Sequence, residues 1–237
     1  MMQSWSMAAP AQGMPAPNGL SILPLDATGA PFPMWLVSLS VEPSAALLDL
    51  LGAEERQRAD RFRTAALRRR YIAGHAGLRL IAARCFGGAA GVEDVVRDAR
   101  GKLHLRCAAN AQCSISYAAD RVLIGISEGA AIGVDAEQLR PIDDAAELME
   151  LHYTPAERAA LRALQRSGQI IDHAFLAIWV RKEACVKALG EGLVIPLTEL
   201  EIGLQPRMTT VRIGSSGLRT AAIQASGDLV IGWAQTL

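Results

Sequence analysis

The chain carries no net charge: Lys and Arg together number 24, and so do Asp and Glu. That balance removes the global field that would draw a protein onto nucleic acid, and no nucleic-acid partner is expected. No stretch approaches the roughly 18 unbroken apolar residues of a membrane-spanning helix, so no membrane partner is expected either. The opening MMQSWSMAAPAQGMPAPNGL contains no Lys or Arg, whereas a secretory leader starts from a basic segment, so none is expected. Cysteines number only four, Cys85, Cys107, Cys113 and Cys185, without a CxxC pair or a zinc-like spacing to the four histidines. They read as free thiols of a reducing compartment, and the expected location is cytoplasmic.

What the chain does have is a globular composition, with 51% apolar and 20% charged residues over 237 positions. This suits one large domain or two small ones with a substantial core. Charge is uneven along it. Seven arginines lie between Arg56 and Arg70, with Arg79 following after a gap. Such a basic stripe suits phosphate groups or an acidic protein partner.

Residues 1–33 are rich in Pro, Ala, Met and Gly and show no period, so they read as a flexible leader. Order is expected from PMWLVSLSV, a first strand. From Pro43 to Phe86 the pattern is helical, with a glycine break and a closing Gly87-Gly88. Strand character follows: VVRDARGKLHL holds an Arg-Gly turn, CSISYAADRVLIGIS reads as a hairpin turning near Ala119-Asp120, and AAIGVDAEQLRP is a further strand. Residues 143–168 read as helical, the second half opening with Thr154, Pro155 and Glu157 in capping-box order. Another helix holds WVRKEACVKALGEG, where GEG serves only to turn the chain. LTELEIGL, TTVRIG, RTAAIQAS and DLVIGWAQ then read as an antiparallel meander. Two similar halves meeting near residues 118–130 account for this order.

Side chains alternate along a strand, so in AIGVDAEQ the residues Ile132, Val134 and Ala136 point one way, into a core. Asp135 and Glu137 share the other face with Gly133. Adjacent carboxylates repel and call for a cation or solvent between them; taken alone, this is an exposed acidic strand face. In the helix, Trp179, Glu183 and Lys187 are spaced i, i+4, i+8 and line one face. Taken alone, this is a core tryptophan with an ordinary helix-stabilising pair. Together the two segments say more. Asp135 and Glu183 lie 48 positions apart across a helical connection, which allows the helix to fold back and gather three carboxylates. Such a hard-oxygen site suits Mg²⁺ that also binds substrate phosphates, with Lys187 beside those phosphates as a point charge.

GVDAE (133–137) followed by WVRKEACVKALGEGL (179–193) resembles the paired signature of the 4′-phosphopantetheinyl transferases, G-[VI]-D-x-E and W-x-x-K-E-A-x-x-K. The length resembles the larger, pseudo-dimeric type that activates surfactin and other peptide and polyketide synthases. The resemblance implies an α+β (mixed α/β) fold of two pseudo-twofold-related lobes, each a small antiparallel sheet packed with a long helix. After the leader, an N-terminal lobe at 34–120 would bind coenzyme A, and a C-terminal lobe at 121–237 would hold the Mg²⁺ and catalytic motifs. It implies transfer of the phosphopantetheine arm of coenzyme A to a serine of an apo acyl or peptidyl carrier protein, releasing 3′,5′-ADP, by an enzyme working as a monomer.

By the same resemblance, Asp135, Glu137 and Glu183 are the metal ligands, Glu183 is the base, and Lys187 stabilises the leaving phosphate. Arg70 matches the family's basic residue before the long helix. Gly101-Lys102 matches a G-K-P turn, with Leu103 in place of proline, and Arg58 is a further phosphate contact. Lys182 takes a phosphate or structural role. SISYA (114–118) keeps Ser116 but has Tyr117 where the family's histidine meets the 3′-phosphate; its hydroxyl can donate to a phosphate oxygen but brings no charge. Arg56, Arg61, Arg63 and Arg68 read as a solvated helix face. Two other readings stay open: another Mg²⁺-dependent phosphoryl-transfer or phosphodiester enzyme, and a non-catalytic scaffold that binds coenzyme A or carrier proteins.

Overall fold

The computed structural model describes residues 19–26, 29–88, 91–190, 195–225 and 227–237. The expected leader over 1–18 and the Glu191-Gly192 turn lie outside the described residues. The chain divides into two compact units, at Gly129 and Ala130.

In the first unit, β1 (Leu20–Leu25) and β2 (Met34–Leu39) precede two short helices, α1 (Ala45–Leu48) and α2 (Ala53–Asp60), and one long helix, α3 (Ala65–Phe86). A small hairpin, β3 (Val95–Arg97) with β4 (Leu103–Leu105), leads into β5 (Ala111–Ala118) and β6 (Arg121–Glu128). The sheet runs β1-β2-β6-β5, antiparallel throughout. Thr64 caps α3 by accepting from the Leu67 amide at 3.2 Å, and the apolar face of α3 covers the sheet through Ile72, Ala76, Leu78 and Ile81.

Two expectations are corrected here. The leader does not extend to residue 33: β1 pairs along its whole length with β2, and Leu20 and Ile22 are core residues. Pro24 disguised this strand, but at a sheet edge a residue without an N–H is tolerated. Nor does the first unit end at residue 120. β5 and β6 pair from Ala111–Glu128 to Ala118–Arg121, so a division at 120 would cut a ladder that keeps its turn at Ala119 (φ 49°).

The second unit repeats the plan of a strand, a long helix, and a hairpin whose last strand returns beside the first. β7 (Ile132–Gln138) is followed by α4 (Ala145–His152), α5 (Pro155–Arg166) and α6 (Asp172–Leu189), then by β8 (Thr209–Ile213), β9 (Ser216–Ala225) and β10 (Leu229–Thr236). The antiparallel sheet runs β7-β10-β9-β8. The Thr154–Glu157 capping box opens α5 with Pro155 at its first position. The fold is therefore α+β, with antiparallel sheets and a long helix in each unit.

LTELEIGL is not a strand of the closing meander. Leu197–Glu199 forms a single 3₁₀ turn after Pro196, and the backbone of this stretch serves buried charges instead of a ladder. Lys182 Nζ donates to the carbonyls of Leu197 and Leu200, both at 2.7 Å. Arg181 donates to Gly203 and Gln205, and Glu157 accepts from the amides of Ile202 and Gly203. Among the described residues, no helix is long and apolar enough to cross a membrane.

Candidate active site

Helix α6 lies directly on β7 and β10 because glycine removes the side chains between them. A Cβ on Gly133 would sit 1.9 Å from the Ala184 carbonyl oxygen, and one on Gly232 would sit 2.4 Å from that of Val180. The two main chains meet at this notch, and β7 is buried on both faces from Ile132 to Ala136. Asp135, on the same face as Gly133 and paired in register with Gly232, is thereby held against α6.

Lys187 crosses to the strand and donates to Asp135 Oδ1 at 2.6 Å. Lys187 is 31% exposed and Asp135 7% by side chain, so the pair sits at the lip of the notch. Glu183, one turn earlier, is half-buried and interacts with both. Burial raises its carboxyl above the usual range, the Asp135 charge adds to this, and Lys187 opposes it. Glu137 is raised in the same way, by burial first and Asp135 second, with Glu183 adding a smaller push. The structure thus brings Asp135, Glu137, Glu183 and Lys187 within electrostatic reach of one another. It does not close the carboxylates into a cage: among the described residues, no three His, Cys, Asp or Glu side chains group tightly enough to hold a metal ion by themselves.

Trp179 heads the same stripe but is only half-buried. Its ring meets His152 edge-on, with centroids 5.3 Å apart, so it is a platform at the edge of the core. Lys182, read as taking a phosphate or a structural role, takes the structural one, against its reading as a coenzyme contact. It is fully buried, and its three donors go to Leu197, Leu200 and the Glu157 carboxylate at 2.8 Å, leaving no proton for a ligand.

In the first unit, Arg70 donates to the Ala119 carbonyl at 2.6 Å and lies over the Tyr117 ring, 5.5 Å from its centroid. Arg58 is exposed, 5.8 Å from the Tyr71 ring centre. Lys102 sits at the β3–β4 turn, its amide donating to Asp98 and its ammonium pKa lowered by burial. Ser116 and Tyr117, neighbours on β5, point to opposite faces, so their side chains do not line one pocket. The expected Tyr117 hydroxyl contact is also corrected. That hydroxyl is buried beneath α3, where a Cβ on Gly74 would come within 2.9 Å of it, and it has no hydrogen-bond partner among the described residues. Burial pushes the phenol pKa up, so it stays neutral.

The sequence profile of the 4′-phosphopantetheinyl transferase superfamily matches residues 131–231, which contain the α6–β7 notch. The chain is 33% identical over 179 residues to the 4′-phosphopantetheinyl transferase HetI of Nostoc sp., covering 73% of this chain and 74% of that relative. Over 168 residues it is 25% identical to a 4′-phosphopantetheinyl transferase of Bacillus subtilis, covering 70% and 72%. The chain belongs to the 4′-phosphopantetheinyl transferase superfamily. It is a phosphopantetheinyl transferase, of a family whose substrate is coenzyme A.

The first unit of the transferase also has a pocket of about 1000 Å³ between α2, the start of α3 and the β3–β4 hairpin. Of the residues marked in the sequence as coenzyme contacts, only Arg58 lines it. Arg61, read as solvated, also lines it, as do Tyr71 and Arg97, which sequence reasoning missed. Arg97 carried no motif of its own, and its one signal was its place four residues before Gly101. One wall is braced by Glu55, which pairs with Arg79 at 3.0 Å and with His75 Nδ1 at 2.6 Å. Burial alone would raise the Glu55 carboxyl, but His75, Arg79 and the Gly52 amide bring it down to about 2.

Proposed function

We propose that this transferase moves the 4′-phosphopantetheine arm of coenzyme A onto a serine hydroxyl of an apo acyl or peptidyl carrier protein, releasing 3′,5′-ADP. The observation that carries the reading is the Lys187–Asp135 contact at 2.6 Å, with Glu183 and Glu137 charge-coupled to it on one strand-and-helix face. In this reading the first unit is the coenzyme side, with Arg58, Arg70 and Lys102 toward phosphates, and the second unit carries the chemistry.

The donor set fits a divalent cation. Its groups are all carboxylate oxygens, two of them raised by burial and by a neighbouring carboxylate, a strain that a cation relieves. Mg²⁺ needs only one or two carboxylates when phosphate oxygens and waters complete its shell, so an open set of Asp135, Glu137 and Glu183 suffices. When bound there, Mg²⁺ would supply charge neutralisation for the pyrophosphate.

The serine oxygen attacks the phosphorus next to the pantetheine arm, and the bond from that phosphorus to the bridging oxygen breaks. Glu183, half-buried on the helix face beside Asp135, takes the serine proton. Lys187, oriented by Asp135, offers its charge to the departing phosphate. We further propose a monomeric cytoplasmic enzyme, in keeping with four unbridged cysteines.

Incubation with coenzyme A, Mg²⁺ and an apo carrier, read by mass spectrometry, tests this. The expected result is a phosphopantetheine adduct on the carrier serine, lost in Glu183→Ala and Asp135→Ala variants that remain folded. Coenzyme hydrolysis without an adduct would replace the reading with a phosphodiesterase, and binding without turnover would replace it with a scaffold.

A further inference from the structure

The Asp135 side chain is only 7% exposed, on a strand buried on both faces from Ile132 to Ala136. A carboxylate so placed requires a counter-charge to replace its lost hydration. Lys187 supplies one, donating to Oδ1 at 2.6 Å. Glu137 and Glu183, charge-coupled to the same aspartate, add negative charge to the face and no cation.

The two partners of this contact differ in freedom. Asp135 is fixed, because β7 is laddered to β10 with Gly232 opposite it, and α6 lies against the strand at Gly133. Lys187 is 31% exposed, and its flexible four-carbon stem stands at the open lip of the notch. Lys182, on the same helix, is the contrast. It is fully buried, with its ammonium enclosed by Leu197, Leu200 and Glu157. A second cation arriving at Asp135 therefore meets an anion that stays and an ammonium that can turn away. Two cations on one buried carboxylate repel, and a divalent ion repels the ammonium more strongly than a monovalent one.

We propose that Lys187 is the resident counter-ion of Asp135 and that a divalent cation displaces it, so that cation binding itself releases the ammonium towards the substrate phosphates. The inference rests on the divalent-cation reading above. It makes Lys187 a gate as well as a phosphate group. The contact that neutralises Asp135 weakens cation binding, and the ammonium becomes available only where the cation has been loaded. A purely preorganising role for Lys187 requires the reverse, a cation held less tightly once the lysine is gone.

Titration with Mn²⁺, followed by the electron paramagnetic resonance signal of the free ion and without coenzyme A or carrier, tests this apart from turnover. Both variants used change a side chain at the open lip, and circular dichroism checks their fold before titration. Lys187→Met, which keeps the stem and loses the charge, is expected to bind Mn²⁺ at least about tenfold more tightly than wild type. Lys187→Arg, which keeps the charge and grips a carboxylate with two N–H groups, is expected to bind it no more tightly than wild type. In the wild-type protein, acetylation of the Lys187 amine by an N-hydroxysuccinimide ester, read by mass spectrometry, is expected to accelerate severalfold at saturating Mn²⁺. Equal or weaker Mn²⁺ binding by Lys187→Met, or a labelling rate that Mn²⁺ leaves unchanged, overturns the gate and leaves the cation reading standing. Mn²⁺ binding by neither the wild type nor Lys187→Met sinks the cation reading and the gate with it.

Discussion

Replacing Gly133 with alanine probes the notch on which the whole site depends. The added methyl would stand 1.9 Å from the Ala184 carbonyl oxygen and 2.6 Å from the Ala188 amide, both backbone atoms of α6 that no rotamer change can move. To reach an ordinary contact of 3.4 Å the helix must withdraw by about 1.5 Å. Taken along the same direction, that lengthens the Lys187–Asp135 contact from 2.6 Å to about 4 Å and draws Glu183 away from Asp135 as well. Overpacking of this kind costs about 1–3 kcal/mol of stability, which a domain of ordinary stability survives. Misplacing catalytic groups by about 1 Å costs on the order of a hundredfold in rate. Urea unfolding followed by circular dichroism measures the first effect, and carrier modification at saturating coenzyme A measures the second. The expected variant is folded, less stable and at least about a hundredfold slower. Wild-type stability and rate together would show that α6 does not depend on this glycine, and would refute the placement of Glu183 and Lys187 against Asp135.

Lys182→Met should leave the Glu157 carboxylate buried without its ammonium, costing about 3–5 kcal/mol in urea unfolding with KM for coenzyme A unchanged; a stable variant with weakened coenzyme binding would return Lys182 to the phosphate site. The Glu55 carboxyl titrates near 2 in the folded chain against 4.5 ordinarily, so its contribution is complete above pH 4.5 and lost as pH falls towards 2. The stability gap between wild type and Glu55→Gln should be about 3 kcal/mol at about pH 7 and close on acidification, and a gap independent of pH would contradict the pairing. Tyr117→Phe removes a buried hydroxyl that lacks a partner, so stability should hold or rise by up to about 1 kcal/mol and KM for coenzyme A should not move. A severalfold rise in KM would mean that the hydroxyl reaches the substrate.

Much of the α6–β7 site was legible because its information is local. Period-2 alternation put Asp135 and Glu137 on one strand face, and i, i+4 spacing put Glu183 and Lys187 on one helix face. The capping box at Thr154 likewise satisfies backbone groups within one turn. The N-terminal strand was hidden because Pro24 and a proline-rich neighbourhood resemble a linker, and only pairing with β2 shows that the edge tolerates them. LTELEIGL looked like a strand because its apolar residues suit one, whereas its carbonyls are taken by Lys182 and Arg181 from a distant helix.

By itself, the sequence determined which residues share a face and therefore which carboxylates and lysine can meet one another. It also determined the family, through two motifs at the right separation. Tertiary structure decided which cations are available. Lys182 and Lys187 lie five residues apart on one helix, but the face that turns to the core meets Glu157 and the other meets Asp135. Arg58 and Arg61 form no ion pair among the described residues, whereas Arg68 and Arg69 are paired with Asp60 and Glu42. Charge neutralisation depends on what lies within a few ångströms in space, and chain distance does not report that.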